Sequence, residues 1–383
     1  MISSLPDFPW DSLLPAKERA RAFTGATPDE GEGIVDLSVG TPVDPTPQVV
    51  TDALSAAADA PGYPQTWGTP DLREAVADWF ARRRSAPGVD PDGVLPTIGS
   101  KELVAWLPTL LGLGSGDVVG FPRVAYPTYD VGARLAGATP TPADATTAFG
   151  PAAPRLLWLN TPSNPTGQVL GVEHLRKVVD WARERGVVVA SDECYAELDW
   201  RTVEERAADG DGPDAVSTPS LLDPRVCGGD HTGLLVAYSL SKQSNLAGYR
   251  AAFLAGDPRL VAGLLEVRKH AGMIVPWPVQ RAMLAALGDG GHVAEQKARY
   301  RARRGVLEPA VAAAGLRVDH SRAGLYLWAS ADEPSRVTVD RLAEHGILVA
   351  PGDFYGTAGA QHVRIALTAT DERIAAAAAR LGR

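Results

Sequence analysis

Cysteine is scarce in this chain: two residues, Cys194 and Cys227, in 383. So few can build neither a disulfide framework nor a cysteine metal cage, and a reducing compartment, the cytoplasm, is the expected location. The seven histidines are scattered singly. None pairs with another at metal-ligand spacing on a helix, so no metal is expected. Positive charge is in deficit, with a net charge of -9 and a pI near 5.3. That balance argues against nucleic acid or an anionic membrane surface as partner. No apolar run approaches the length of a membrane span. The first ten residues, Met1 to Trp10, lack the basic and apolar stretches of a secretory leader. Asn164-Pro165-Thr166 would be a glycosylation acceptor but for the proline at its centre. There is no internal repeat.

What is present is ordinary globular material, 45% hydrophobic and 22% charged. The length allows two or three domains. Short apolar runs (118–121, 156–159, 187–190, 234–238, 251–255) alternate with helical patterns (71–83, 102–111, 171–185, 258–269). Strands alternating with helices predict an α/β fold with a mostly parallel sheet covered on both faces. Ligands of such sheets sit at the carboxyl ends of the strands. After Gly288 a basic helical stretch, 295–312, leads into strand-like runs at 316–318, 325–328, 347–350 and 363–367. This predicts a smaller α/β C-terminal domain. The expected division is 1–45 as an N-terminal segment that joins the small domain and covers the cleft, 46–288 as the large domain and 289–383 as the small one. Residues 202–218, rich in Ala, Gly and Asp, read as a surface insertion. Gly112-Leu113-Gly114-Ser115-Gly116-Asp117 hints at a dinucleotide fingerprint. Its last glycine is missing and it precedes a strand, so it reads as a turn.

The most informative run is Ser239-Leu240-Ser241-Lys242-Gln243-Ser244-Asn245-Leu246-Ala247-Gly248-Tyr249-Arg250. A lysine amine can condense with an aldehyde. Two serines and an arginine beside it can hold an anion. Pyridoxal 5'-phosphate (PLP) carries both an aldehyde and a phosphate, and its chemistry requires such a lysine. A buried carboxylate must also keep the cofactor's pyridine nitrogen protonated. Asp192, in Ser191-Asp192-Glu193-Cys194-Tyr195 after a predicted strand, is the candidate, although alone it could be a helix cap. Gly99-Ser100-Lys101-Glu102 follows a strand-like run at 94–98 and opens a helix, whose N-terminus favours anions. Lys101 taken alone could equally be a solvated side chain.

These segments, in this order, resemble the fold-type I, class I/II aminotransferases. The likeness runs from Leu37 to Leu367. Tyr249, where many relatives carry Trp, is a small departure. The resemblance implies PLP covalently held by Lys242, with Asp192 on the ring nitrogen and Tyr195 on the ring's phenolic oxygen. It places Asn164, in Asn160-Thr161-Pro162-Ser163-Asn164-Pro165-Thr166-Gly167, against the cofactor and the substrate. Gly99, Ser100, Lys101, Ser239, Ser241 and Arg250 would hold the phosphate. Tyr126 would stack on the ring, although from sequence alone a core tyrosine reads as well. Arg364, in His362-Val363-Arg364-Ile365-Ala366, would read the substrate carboxylate, with the Gly40 backbone beside it. Tyr63 would reach the phosphate of a neighbouring subunit, which implies a homodimer.

The 5–11 and 268–273 segments and the Gly-Tyr-Pro around Tyr63 look like those of the succinyldiaminopimelate aminotransferases of lysine biosynthesis. A broad aspartate- or alanine-type aminotransferase is the same-class alternative, and a PLP-dependent C–S lyase shares the lysine and the fold. A PLP-binding transcription regulator would need a DNA-binding segment ahead of Leu37 and a different charge. Arg268 and Lys269 are the candidates for a distal succinyl carboxylate. A solvated basic helix end explains them equally well.

Overall fold

The computed structural model describes residues 5–25, 27, 33–151, 153–211 and 217–382. Parts of the expected N-terminal segment (1–4, 26, 28–32) and of the expected insertion (212–216) lie outside them. Strand β1 (Val35–Asp36) comes first. It is followed by β2 (Val94–Ile98), β3 (Val118–Phe121), β4 (Thr139–Pro142), β5 (Leu156–Asn160), β6 (Val188–Asp192), β7 (Leu234–Ser239) and β8 (Ala251–Gly256). The last seven form one sheet of order β2-β8-β7-β6-β5-β3-β4. All neighbours run parallel except β8, which is antiparallel to both β2 and β7. The mostly parallel sheet expected from the alternating runs is present.

Burial on both faces explains the continuous apolar runs. Leu157, Leu159, Val189, Val236 and Phe253 point into a core with Trp79, Phe80 and Val179. Their chain neighbours Leu156, Trp158, Ala190, Leu235 and Leu254 point the other way, onto Leu103, Leu107 and Leu264. The helices Pro70–Arg83 and Val172–Arg185 cover the first face, and Ser100–Leu110 and Pro258–Ala271 cover the second.

The remaining strands are β9 (Arg317–Asp319), β10 (Tyr326–Ser330), β11 (Ile347–Leu348), β12 (Ala350–Pro351) and β13 (Val363–Ala366). Four of them make an antiparallel sheet, β12-β13-β10-β9, while β1 pairs in parallel with β11. A third core joins Leu13, Ala16, Ala20, Val35 and Leu37 to Leu327, Ile365 and Ile374. The N-terminal arm therefore packs on the C-terminal strands. The Gly112–Asp117 segment is a turn, with Gly112 and Gly116 at φ 74° and 92°.

The acidic stretch expected as a surface insertion is only partly that. Its helix Val203–Ala208 has no buried residue. Asp211, Ser217 and Thr218 are buried, however. The buried Arg201 guanidinium draws the acids inward, meeting Asp199 at 2.8 Å, Asp209 at 2.7 Å and Asp211 at 2.5 Å. A buried cation needs such partners to offset its lost hydration.

Candidate active site

Almost every chemically suggestive segment ends at one edge of the large sheet. Asn160 closes β5, Asp192 closes β6, Ser239 closes β7, and Gly99 follows β2. Because β8 runs backward, Arg250, just before its start, comes to the same edge. There a cleft of about 470 Å³ is lined by twelve of the predicted residues: Gly40, Ser100, Lys101, Tyr126, Asn164, Asp192, Tyr195, Ser239, Ser241, Lys242, Arg250 and Arg364. Gly99 is not part of the lining but lies against the Arg250 guanidinium. Tyr63 does not join them, being fully exposed on its loop.

Lys242 occupies the cleft centre, and its ammonium donates to the Gly40 carbonyl. Burial holds its pKa below the usual lysine value, with the positive charges of Arg364 and Arg250 adding to that effect. A larger fraction of neutral, nucleophilic amine follows. Asp192 is buried, which raises its pKa, while the Cys194 N–H (3.2 Å) and the Tyr129 hydroxyl (3.2 Å) donate to its carboxylate. Asn160 holds the end of β6 from beside it. Its amide donates to the Asp192 carbonyl at 2.9 Å, and its side-chain oxygen accepts from the Asn164 N–H at 2.7 Å.

At one end of the cleft Ser239 and Ser241 share a hydroxyl–hydroxyl bond of 2.8 Å. The helix Ser100–Leu110 presents its first turn there, with Gly99 at φ 77°. That φ favours glycine, and a side chain there would displace the Arg250 guanidinium. Arg250 itself sits at φ 56°, a strained conformation for a non-glycine residue. The Lys101 ammonium lies 5.3 Å over the Phe8 ring.

Arg364 is buried at the other end. It donates to the Asn164 side-chain oxygen (3.0 Å) and the Ser38 carbonyl (2.7 Å), and its Nε has no partner. Its guanidinium lies 4.0 Å from the Tyr326 ring centre and 5.1 Å from that of Tyr355. Among the described residues, Lys101, Lys242, Arg250 and Arg364 form no ion pair. Four cations around one carboxylate, Asp192, make a cleft built for anions.

The sequence reading missed Phe8, Trp10, Tyr326 and Cys194, which also line the cleft. Phe8 and Trp10 stack at 5.5 Å and come from the N-terminal arm, whose 5–11 segment reads only as a family likeness and not as cleft lining. Cys194 sits inside the Asp192 segment and could have been found there. Burial pushes its thiol far up, so it is no thiolate nucleophile. Arg268 and Lys269 are corrections: neither borders the cleft. Arg268 is wholly buried, bonded to Glu102 at 2.8 Å and the Met273 carbonyl at 3.3 Å. Lys269 pairs with Glu266 at 2.7 Å on the surface. Their helix turns Arg268 onto the large-sheet core, away from the cleft.

Residues 32–381 match the family described as aminotransferase class I and II. The chain is 60% identical over 379 residues to a probable aminotransferase of Mycobacterium tuberculosis, covering 99% of this chain and 86% of that one. It is 58% identical over 380 residues to the 4-dedimethylamino-4-oxo-anhydrotetracycline transaminase of Streptomyces rimosus, covering 99% and 100%. Among solved structures it resembles a probable N-succinyldiaminopimelate aminotransferase from Thermus thermophilus. The TM-score is 0.83 and the identity 28%, over 98% of this chain and 99% of that one. The chain belongs to the class I and II aminotransferases, and its cofactor is pyridoxal 5'-phosphate. The residues fit that group: a buried acid for the ring nitrogen, an amine of lowered pKa for the aldehyde, and unpaired donors at both ends for two anions.

Proposed function

We propose that this aminotransferase moves the amino group of N-succinyl-LL-2,6-diaminopimelate to 2-oxoglutarate, a step of lysine biosynthesis. The carrying observation is the set of unpaired cations. When bound, PLP supplies an electron sink for the substrate's Cα. In this reading Lys242 would hold the aldehyde and would carry the substrate's Cα proton as base and then acid. Asp192 keeps the ring nitrogen protonated, and Tyr195 and Asn164 hold the ring's phenolic oxygen. Tyr126 stacks on the ring. The N–H groups of the Gly99-Ser100-Lys101 turn, the Ser239 and Ser241 hydroxyls and Arg250 take the phosphate. Arg364 takes the α-carboxylate, beside Asn164 and the Gly40 backbone.

With those assignments one cleft cation remains. The Lys101 ammonium, at the mouth beside Phe8, is the group left to meet a distal carboxylate. The Thermus enzyme's name supports this substrate. A donor screen with 2-oxoglutarate as acceptor tests it: N-succinyl-LL-2,6-diaminopimelate should exceed aspartate and alanine in kcat/KM. A preference for a short donor would overturn it, and release of pyruvate and ammonia from cysteine-type substrates would point to a C–S lyase. The stacked Phe8–Trp10 wall and the Streptomyces relative favour a second reading, a bulky planar ketone as amino acceptor.

We also propose cytoplasmic location, the domain division at 45/46 and 288/289, and a homodimer in which Tyr63 reaches the partner's phosphate. Among the described residues no helix is long and apolar enough to cross a membrane. Mixing Lys242→Ala chains with Tyr63→Phe chains tests the dimer. Sharing across the interface predicts one intact site per hybrid and a gain in activity. Hybrids confirmed by mass that show no gain would contradict it.

A further inference from the structure

Tyr326 belongs to no motif, yet it touches both ends of the proposed chemistry. On the antiparallel pair β10–β13, Tyr326 lies opposite Ala366 and Trp328 opposite Arg364. Tyr326 and Arg364 are thus diagonal neighbours on one face, within reach of each other. The ring lies 4.0 Å from the guanidinium. At its far end the hydroxyl lies 3.2 Å from the Tyr195 hydroxyl, both groups buried. The chain also makes room for that hydroxyl: any side chain at Gly40 would collide with it. The Gly40 carbonyl accepts from Lys242. One phenol therefore touches the α-carboxylate arginine, the tyrosine assigned to the cofactor's phenolic oxygen, and the backbone that holds the lysine.

We propose that Tyr326 is a positioning residue that couples the two anion contacts of the reaction. Its hydroxyl orients Tyr195 toward the cofactor's ring oxygen, and its ring holds the Arg364 guanidinium flat for the α-carboxylate. A Tyr195 hydroxyl that donates its proton to the ring oxygen keeps a lone pair, and the Tyr326 hydroxyl is placed to donate to it. The donor chain Tyr326 to Tyr195 to ring oxygen then strengthens along its length. The charges facing the Tyr326 hydroxyl support this. Although burial opposes it, the cations of Arg364 and Lys242 bring its pKa below the usual tyrosine value, while Cys194 and its own partner Tyr195 are pushed far up. The proposal rests on the aminotransferase reading but is independent of which amino donor is used.

Two substitutions separate the two roles. Tyr326→Phe keeps the ring and removes the hydroxyl. Losing a donor from the chain leaves less stabilisation for negative charge on the ring oxygen, so the nitrogen beside it becomes more basic. The pH midpoint of the visible absorbance of the PLP-loaded protein should move upward by about half a unit or more. kcat should fall about 5- to 10-fold, the worth of one buried hydrogen bond, with KM for donor and acceptor within about twofold. Tyr326→Leu also removes the ring from Arg364. KM for amino donor and keto acceptor alike should then rise about 3- to 10-fold beyond the Phe variant. An unchanged midpoint together with unchanged kcat in Tyr326→Phe would overturn the hydroxyl's role. Equal KM values in the Phe and Leu variants would overturn the ring's role. The absorbance titration needs only the cofactor. A failure of the succinylated-donor reading therefore leaves this test intact, and if Tyr326→Leu does not fold, Tyr326→Phe decides the first role alone.

Discussion

Behind Asp192 the guanidinium of Arg84 is wholly buried. It meets the Glu193 carboxylate at 2.6 Å, the Ser217 hydroxyl at 2.6 Å and the Thr218 carbonyl at 2.6 Å. Arg364, on the cleft side, is buried to a similar degree and meets only neutral oxygens. Arg201, with three aspartates, repeats the first pattern, and so does Arg303 between Asp44 and Asp371. Half-buried Lys242 repeats the second; Lys101 and Arg250 also lack an ion pair among the described residues, but they are exposed. A buried cation that the chain itself neutralises ties elements together. One that the chain leaves unpaired carries its desolvation cost until a ligand anion arrives. For these arginines the distinction separates scaffold from site without reference to motif.

The largest effect that follows is on Lys242. Lys242→Ala should abolish transamination and the visible absorbance of the PLP-loaded protein. A purified variant that still transaminates at a comparable rate would remove Lys242 from the site. Asp192→Asn should lower kcat by roughly 10³-fold or more, because a neutral partner cannot hold the ring nitrogen protonated. It should act in the opposite sense on the cofactor-free protein. Burial raises the folded-state pKa of Asp192 above its ordinary value of 3.8. The folded state therefore binds the proton more tightly, and ionisation costs stability as the pH rises above that ordinary value. Thermal melts of both proteins across pH 4–7 check this, and the variant's advantage should grow with pH.

Arg364→Ala should reduce kcat/KM about 10²- to 10³-fold for donors and acceptors alike, the scale of a lost buried charge contact. Arg364→Leu should leave the cofactor-free melting temperature unchanged or higher. Arg84→Leu sharpens the contrast. It strands Glu193 and should cost about 3–5 kcal/mol of stability in denaturant melts, while the folded fraction keeps its substrate KM. If the two arginines behave alike in stability, the division into scaffold and site fails. Smallest of all, Lys269→Ala should change stability by less than about 0.5 kcal/mol and leave every KM unchanged, as an exposed pair predicts.

Much of this was legible because a parallel sheet buried on both faces writes its strands as apolar runs. Strands β3, β5, β6, β7 and β8 stood out for that reason. The edge strand β4 did not: Thr139-Pro140-Thr141-Pro142 is tolerable only where one side needs no ladder bonds. The motif residues were legible because the loops after successive strands share one edge. Phe8, Trp10 and Tyr326 were not, since they arrive from distant segments whose packing no local pattern records. Arg268 was misread for a related reason. Its partner Glu102 lies 166 residues away in sequence, so a buried ion pair read as a distal-carboxylate contact or a solvated helix end.

We propose that the Lys242 amine is where the cofactor's aldehyde is held. Borohydride reduction of the PLP-loaded protein, followed by peptide mass mapping, tests it directly. A pyridoxyl-phosphate adduct should appear on the peptide containing Lys242 and disappear in Lys242→Ala. An adduct on another lysine, with Lys242 unmodified in active protein, would contradict the account.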